Sequence, residues 1–202
     1  MPYSEFTFEK AKIAFDLTII ENTTLFTNVQ SVEPSSLLLQ WLKDFTPLAI
    51  AINTEKSRSE FLIAPILGEV RKLAENNISL FSGVDFNVDP EKKLIGFCDY
   101  ILSASPEQFY IEAPVVTIVE AKNENIKSGL GQCIAEMIAA QIFNVGKGKD
   151  ISPVYGVVTS GQIWKFIKLE SNYVTIDMQD YYISDVDLIL GVFKQILKFK
   201  DN

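Results

Sequence analysis

Val115-Val116-Thr117-Ile118-Val119-Glu120-Ala121-Lys122 is an apolar, β-branched run that ends in a carboxylate, a small residue and a lysine. Such a run reads as a buried strand. Residues two apart on a strand point to the same side. Glu120 and Lys122 are therefore expected to project together at the strand's end.

A second acid lies upstream in Leu94–Leu102, where Asp99 sits among Ile95, Phe97, Cys98, Ile101 and Leu102. Acids are rare inside apolar strands unless paired or coordinating. Two carboxylates and an amine brought to one strand end can bind a divalent cation and stabilise a displaced phosphate. Gln132 follows within the opening of a predicted helix, close enough in the chain to return to this place. Glu60, in an amphipathic segment upstream, offers another oxygen, with Glu55 and Glu69 as rivals for that role.

The order Glu60, Asp99, Glu120-Ala121-Lys122, Gln132 resembles the restriction-endonuclease-like PD-(D/E)XK superfamily. The resemblance covers roughly Glu55 to Leu169. It implies an α/β (α+β) fold whose core is a mixed central sheet flanked by helices. It also implies Mg²⁺ or Mn²⁺ held by Asp99, Glu120 and the backbone carbonyl of Ala121. Lys122 would then act on the attacking water, as a base or as a stabiliser of developing charge. Glu60 matches the family's first-helix glutamate and Gln132 its helix-borne glutamine. Cys98 stands where the family pattern has proline. Tyr155-Gly156-Val157-Val158-Thr159-Ser160-Gly161-Gln162-Ile163-Trp164 reads as a strand, a Ser-Gly turn and a second strand, and is similar to a segment of nuclease-like domains related to restriction subunits.

What the resemblance implies is a metal-dependent nuclease, most simply a Mg²⁺-dependent endonuclease that hydrolyses DNA phosphodiesters. The alternative is a nuclease-fold subunit that binds nucleic acid or protein without catalysis. One catalytic set per chain suggests a homodimer, or a partner subunit, if both strands of a duplex are cut.

Absent residues prune other chemistries. The chain has no histidine, which removes His-dependent triads and His-ligated zinc. No Gly-x-x-x-x-Gly-Lys-Ser/Thr is present, so an ordinary P-loop is excluded. Cys98 and Cys133 lie in apolar surroundings and read as reduced core residues. The remaining ligands are hard oxygens, which suit magnesium or manganese.

Charge opposes a nucleic-acid partner. The 202 residues carry 18 Lys and Arg against 26 Asp and Glu, a formal net charge of −8, whereas phosphate backbones attract basic surfaces. Local fields can oppose the average. Lys122, Lys127, Lys147, Lys149, Lys165 and Lys168 gather in the second half of the chain. No apolar run reaches the ~18 residues of a membrane span, and the first ten residues have no apolar leader core. The sequence reads as a cytoplasmic protein of one domain, with an N-terminal helical extension over 1–52, a core over 53–170 and a final strand and helix over 171–202.

Periodicity predicts helices over Phe6–Leu17, Ser31–Phe45, a segment from Thr54 toward Leu73 broken or kinked at Pro65, Ser128–Phe143 and Val186–Phe199. Strands are predicted over Phe81–Val88, Leu94–Leu102, Val115–Ala121, Val154–Ser160, Ile163–Leu169 and Tyr173–Ile176. Gly129 and Gly131 are expected to let the chain turn from the Lys122 strand into the next helix. Gln132 is expected near that helix's first turn, one turn from a solvated Glu136.

Overall fold

A computed structural model describes residues 2–149 and 151–198. Its centre is a mixed sheet of β1 (Thr18–Thr23), β2 (Ser79–Asp85), β3 (Phe97–Ser103), β4 (Val115–Ala121), β5 (Val154–Thr159), β6 (Ile163–Glu170), β7 (Tyr173–Asp177) and β8 (Tyr181–Tyr182). The order across it is β1-β7-β6-β5-β4-β3-β2, with β8 paired to β6. β4 is antiparallel to β3 and parallel to β5. The other pairs are antiparallel except β1 with β7.

The helices are α1 (Phe8–Ala14), α2 (Ser36–Ile52), α3 (Glu55–Arg58), α4 (Ala64–Leu73), α5 (Ile126–Gly146) and α6 (Val186–Leu197). One core gathers α2, α4 and α6 with Tyr100, Val119, Val157 and Phe166 of the sheet. The other lies between α1, α5 and the opposite face, through Ile101, Ile118, Val158 and Ile167. Both faces of β4 are therefore covered, which is why its sequence is a continuous apolar run rather than an alternating one.

Parallel neighbours need a crossover, and α5 supplies it between β4 and β5. Asn144, near its end, is fully buried. Its Oδ1 accepts from Val115 N at 2.7 Å and its Nδ2 donates to Val115 O at 2.8 Å, fixing the helix to the start of β4. Gly129 and Gly131 do not turn the chain; both lie inside α5. They act by close approach. A Cβ on Gly131 would sit 2.3 Å from the Thr7 carbonyl carbon, and one on Gly129 would sit 2.7 Å from Val158 Cγ1 and 3.0 Å from Lys122 Cγ. The helix begins at Ile126, so Gln132 stands nearly two turns in rather than in the first.

The break expected at Pro65 takes the form of a π turn, Ser59–Ile63, between α3 and α4. Proline has no N–H for the carbonyl four residues back, here that of Phe61. That oxygen is served instead by the Trp41 indole, whose Nε1 donates to it at 2.9 Å.

α2 starts later than expected, because Ser35, following Pro34, caps it by accepting from Leu38 N at 3.3 Å. It also runs past Phe45, through Pro47, to Ile52. The first 52 residues are not only helical: Thr18–Thr23 forms β1 at the sheet edge, and Tyr3 is buried with its hydroxyl donating to Phe86 O at 2.5 Å. Phe199, the last residue of the predicted final helix, lies outside the described residues. No helix among the described residues is long and apolar enough to cross a membrane.

Candidate active site

The site forms where β3 and β4 part. Their pairing ends at Tyr100 opposite Val119. One step further in the same register places Asp99 opposite Glu120. Instead of continuing the backbone ladder, the Asp99 carboxylate accepts from Ala121 N through Oδ2 at 2.7 Å. Glu120 is buried on the α5 side with Lys122 beside it, and Lys122 Nζ donates to Glu120 Oε1. The strand-end juxtaposition expected from the sequence is present.

Gln132 and Glu136 reach the same region from α5, with Gln132 Nε2 donating to Glu136 Oε1 at 3.0 Å. Glu136 is not solvated; it is fully buried. Every residue of α5 from Cys133 to Ala140 is buried, so its acid has no solvent face to point to. Glu120 Oε2 and Glu136 Oε2 are both buried without a hydrogen-bond partner.

Glu60 does not join the cluster. It is more than half exposed and pairs with Lys56 at 3.4 Å. Glu55 comes closer, with Oε2 3.9 Å from Lys122 Nζ. Glu55 lies in α3 and Glu60 in the π turn that follows it, and the two reach different partners. Glu69 is also elsewhere, accepting from Ser35 N and Oγ. Two of the lysines expected to form a basic field are neutralised on β6: Lys165 pairs with Asp180 at 2.5 Å and Lys168 with Glu170 at 2.8 Å.

Burial dominates the electrostatics. Desolvation, reinforced by Asp99, pushes the Glu120 carboxyl up to about 8, despite the opposing pull of Lys122. Desolvation and then Glu120 hold Glu136 well above the usual carboxylate range. Burial works against the Lys122 charge, but Glu120, Glu55 and Asp99 outweigh it and raise this lysine.

These shifts have a stability consequence. An acid raised in the folded state binds more protons there than in the unfolded chain, so its contribution falls as pH rises. For Glu120 the stability is present below about 4.5 and is lost progressively up to about 8. In a metal-free buffer the urea midpoint should therefore fall between pH 5 and 8. Glu136→Gln, a neutral isostere of the protonated acid, should flatten that fall. An equally steep profile in the variant would show that Glu136 does not take part.

Asp99 and Glu120 fit a hard cation by donor type. Glu120 also offers an oxygen that nothing else occupies. No cluster of three or more His, Cys, Asp or Glu side chains suited to a metal occurs among the described residues. A cation here would rely on two carboxylates and complete its shell from backbone, water or substrate oxygens, as magnesium commonly does.

On the other side of the β4 end, a polar cleft of about 540 Å³ is lined by Arg58, Asn123, Glu124, Ser160, Gln162, Tyr182 and Ser184, among others. Arg58 is 4% exposed. Sequence reasoning passed over this residue, although its rarity (one of two arginines) and the turn glutamine Gln162 were visible. Comparison with family models, with curated proteins and with solved structures gives no match.

Proposed function

We propose that the chain is a metal-dependent phosphodiester hydrolase acting on nucleic acid, DNA foremost, on a restriction-endonuclease-like core. The observation that carries this reading is the convergence of Asp99, Glu120 and Lys122 at one strand end, with a buried Glu120 oxygen left unpartnered. Asp99, Glu120 and the Ala121 carbonyl would hold Mg²⁺ or Mn²⁺. Such an ion, when bound, polarises the phosphate and acidifies a coordinated water.

The side chains supply the rest. Three surrounding acids keep Lys122 protonated, which favours a donor to the phosphoryl oxygens over a general base. Asp99 is oriented by the Ala121 amide. Gln132 holds Glu136 in place under Glu120, and Gly129 lets α5 press on the Lys122 stem.

A reading without turnover, as a binding subunit of the same fold, draws support from the net charge of −8 and from Glu120 being only 1% exposed. Both readings need the cation site tested. Millimolar Mg²⁺ should raise the melting temperature of the wild type, since a ligand specific to the folded state stabilises it. Asp99→Asn should abolish the shift. Equal shifts in both proteins would place the cation elsewhere.

A further inference from the structure

Arg58 is a buried guanidinium with no carboxylate partner among the described residues. Buried charges are ordinarily paired, yet the bonds made by Arg58 go to neutral oxygens. Nε donates to Asn123 Oδ1 at 3.0 Å, and Nη1 to Ser160 O at 3.1 Å and Gln162 Oε1 at 2.8 Å. Nη2 donates to Asn53 Oδ1 at 3.0 Å. A guanidinium has five N–H donors; these four bonds leave one on Nη2. The acids nearby are directed elsewhere. Glu55 approaches Lys122, and Glu124, on the cleft wall, accepts from Asn53 Nδ2 at 2.9 Å.

The cation is thus held rigidly from α3, the β4 end and the β5–β6 turn, bonded to neutral oxygens only, on the wall of a cleft of about 540 Å³ that Glu124 also lines. The cleft adjoins the acid site through the chain itself. Asn123, which fixes Arg58, directly follows Lys122. Arg58 lies one turn beyond Glu55, which reaches the same lysine. Tyr182 and Ser184, whose Oγ donates to Asp185 at 3.0 Å, also line the cleft.

We propose that the Arg58 cleft is an anion subsite that receives a phosphate of the nucleic-acid strand next to the one cleaved. The proposal rests on the hydrolase reading for its ligand. The bonding of Arg58 to neutral oxygens alone stands apart from that reading. An arginine preorganised by neutral partners keeps its full charge for a phosphate. It also gives an acidic protein a local attraction that its net charge denies.

Replacing Arg58 risks the fold, because its four bonds join three elements. Gln162→Glu avoids this. It keeps the side-chain shape and the 2.8 Å bond, and it supplies the missing counter-charge from within. Gln195→Glu, exposed about three turns along α6, adds the same charge elsewhere and serves as control.

The experiment measures binding of labelled duplex and single-stranded DNA in EDTA, where no turnover is needed, across a salt series, with inorganic phosphate as competitor. Wild type and Gln195→Glu should bind with similar affinity. Gln162→Glu should fold normally and bind about tenfold or more weakly. Its log K against log salt slope should be reduced by about one, the mark of one lost phosphate contact.

Unchanged affinity and slope in Gln162→Glu, or no DNA binding by the wild type, would overturn the subsite. Loss of binding in Gln162→Glu, together with a wild type that never cleaves, would support the subsite and count against the hydrolase reading. Normal cleavage and unchanged KM in Gln162→Glu would do the reverse.

Discussion

Lys122→Ala should fold as the wild type does and lose about a hundred- to a thousand-fold in turnover, the usual consequence of removing one donor aimed at developing charge. Two effects combine in this variant. The first is the lost ammonium. The second is electrostatic: Lys122 pulls the Glu120 carboxyl down against burial and Asp99. Without the lysine, Glu120 should ionise at a still higher pH and present a poorer cation ligand at neutrality. The loss should therefore be larger at pH 7 than at pH 9, and raised metal concentration should restore part of it. Single-turnover rates across pH provide the check. A loss independent of pH would assign Lys122 to the charge-stabilising role alone.

Gly131→Ala should be strongly destabilising. The added carbon would lie 2.3 Å from the Thr7 carbonyl carbon, 2.4 Å from Phe6 O and 2.5 Å from Phe8 N. All three are backbone atoms at the start of α1, so no side chain can rotate away. Overpacking costs typically ~1–3 kcal/mol, and here it should reach the upper end. It should outweigh the ~1 kcal/mol that alanine gains over glycine in a helix, for a net loss of about 2 kcal/mol. Gly68→Ala, inside α4 with nothing within 4 Å of the added carbon, should instead stabilise by about 0.5–1 kcal/mol. Urea unfolding of the two variants beside the wild type tests both signs. Because Gln132 is the next residue, Gly131→Ala should also disturb the Gln132–Glu136 contact.

The sheet was legible in the sequence where burial was two-sided. Val115–Ala121 could hardly be anything but a central strand, and its Glu-x-Lys ending marked the place where Asp99 arrives from β3. Thr18–Thr23 was not legible. It is an exposed edge strand, largely polar, without the apolar pattern that identifies a strand. Pro65 marks a break in the sequence, but neither the π turn nor the Trp41 indole that bonds the Phe61 carbonyl, a contact across 20 residues, can be read from it. Order along the chain favours Glu60 over Glu55, whereas the path of α3 and the π turn after it decides which acid reaches Lys122.

Glu136 shows the same limit differently. Its spacing from Gln132 gave the shared face correctly, but spacing cannot tell that the face looks inward. The small residues Gly129, Gly131, Ala135 and Ala139 were the available sign that α5 packs closely. For Arg58 the sequence offers only its rarity and the turn residue Gln162. Its isolation from carboxylates exists only in three dimensions.

The most direct test of the central claim is cleavage of single- and double-stranded DNA and RNA by wild type and Lys122→Ala, each in Mg²⁺, Mn²⁺ and EDTA. The account predicts cleavage of DNA by the wild type with either metal, none in EDTA, and severe loss in the variant. Equal cleavage by the two proteins, or no cleavage of any substrate with either metal, would contradict it.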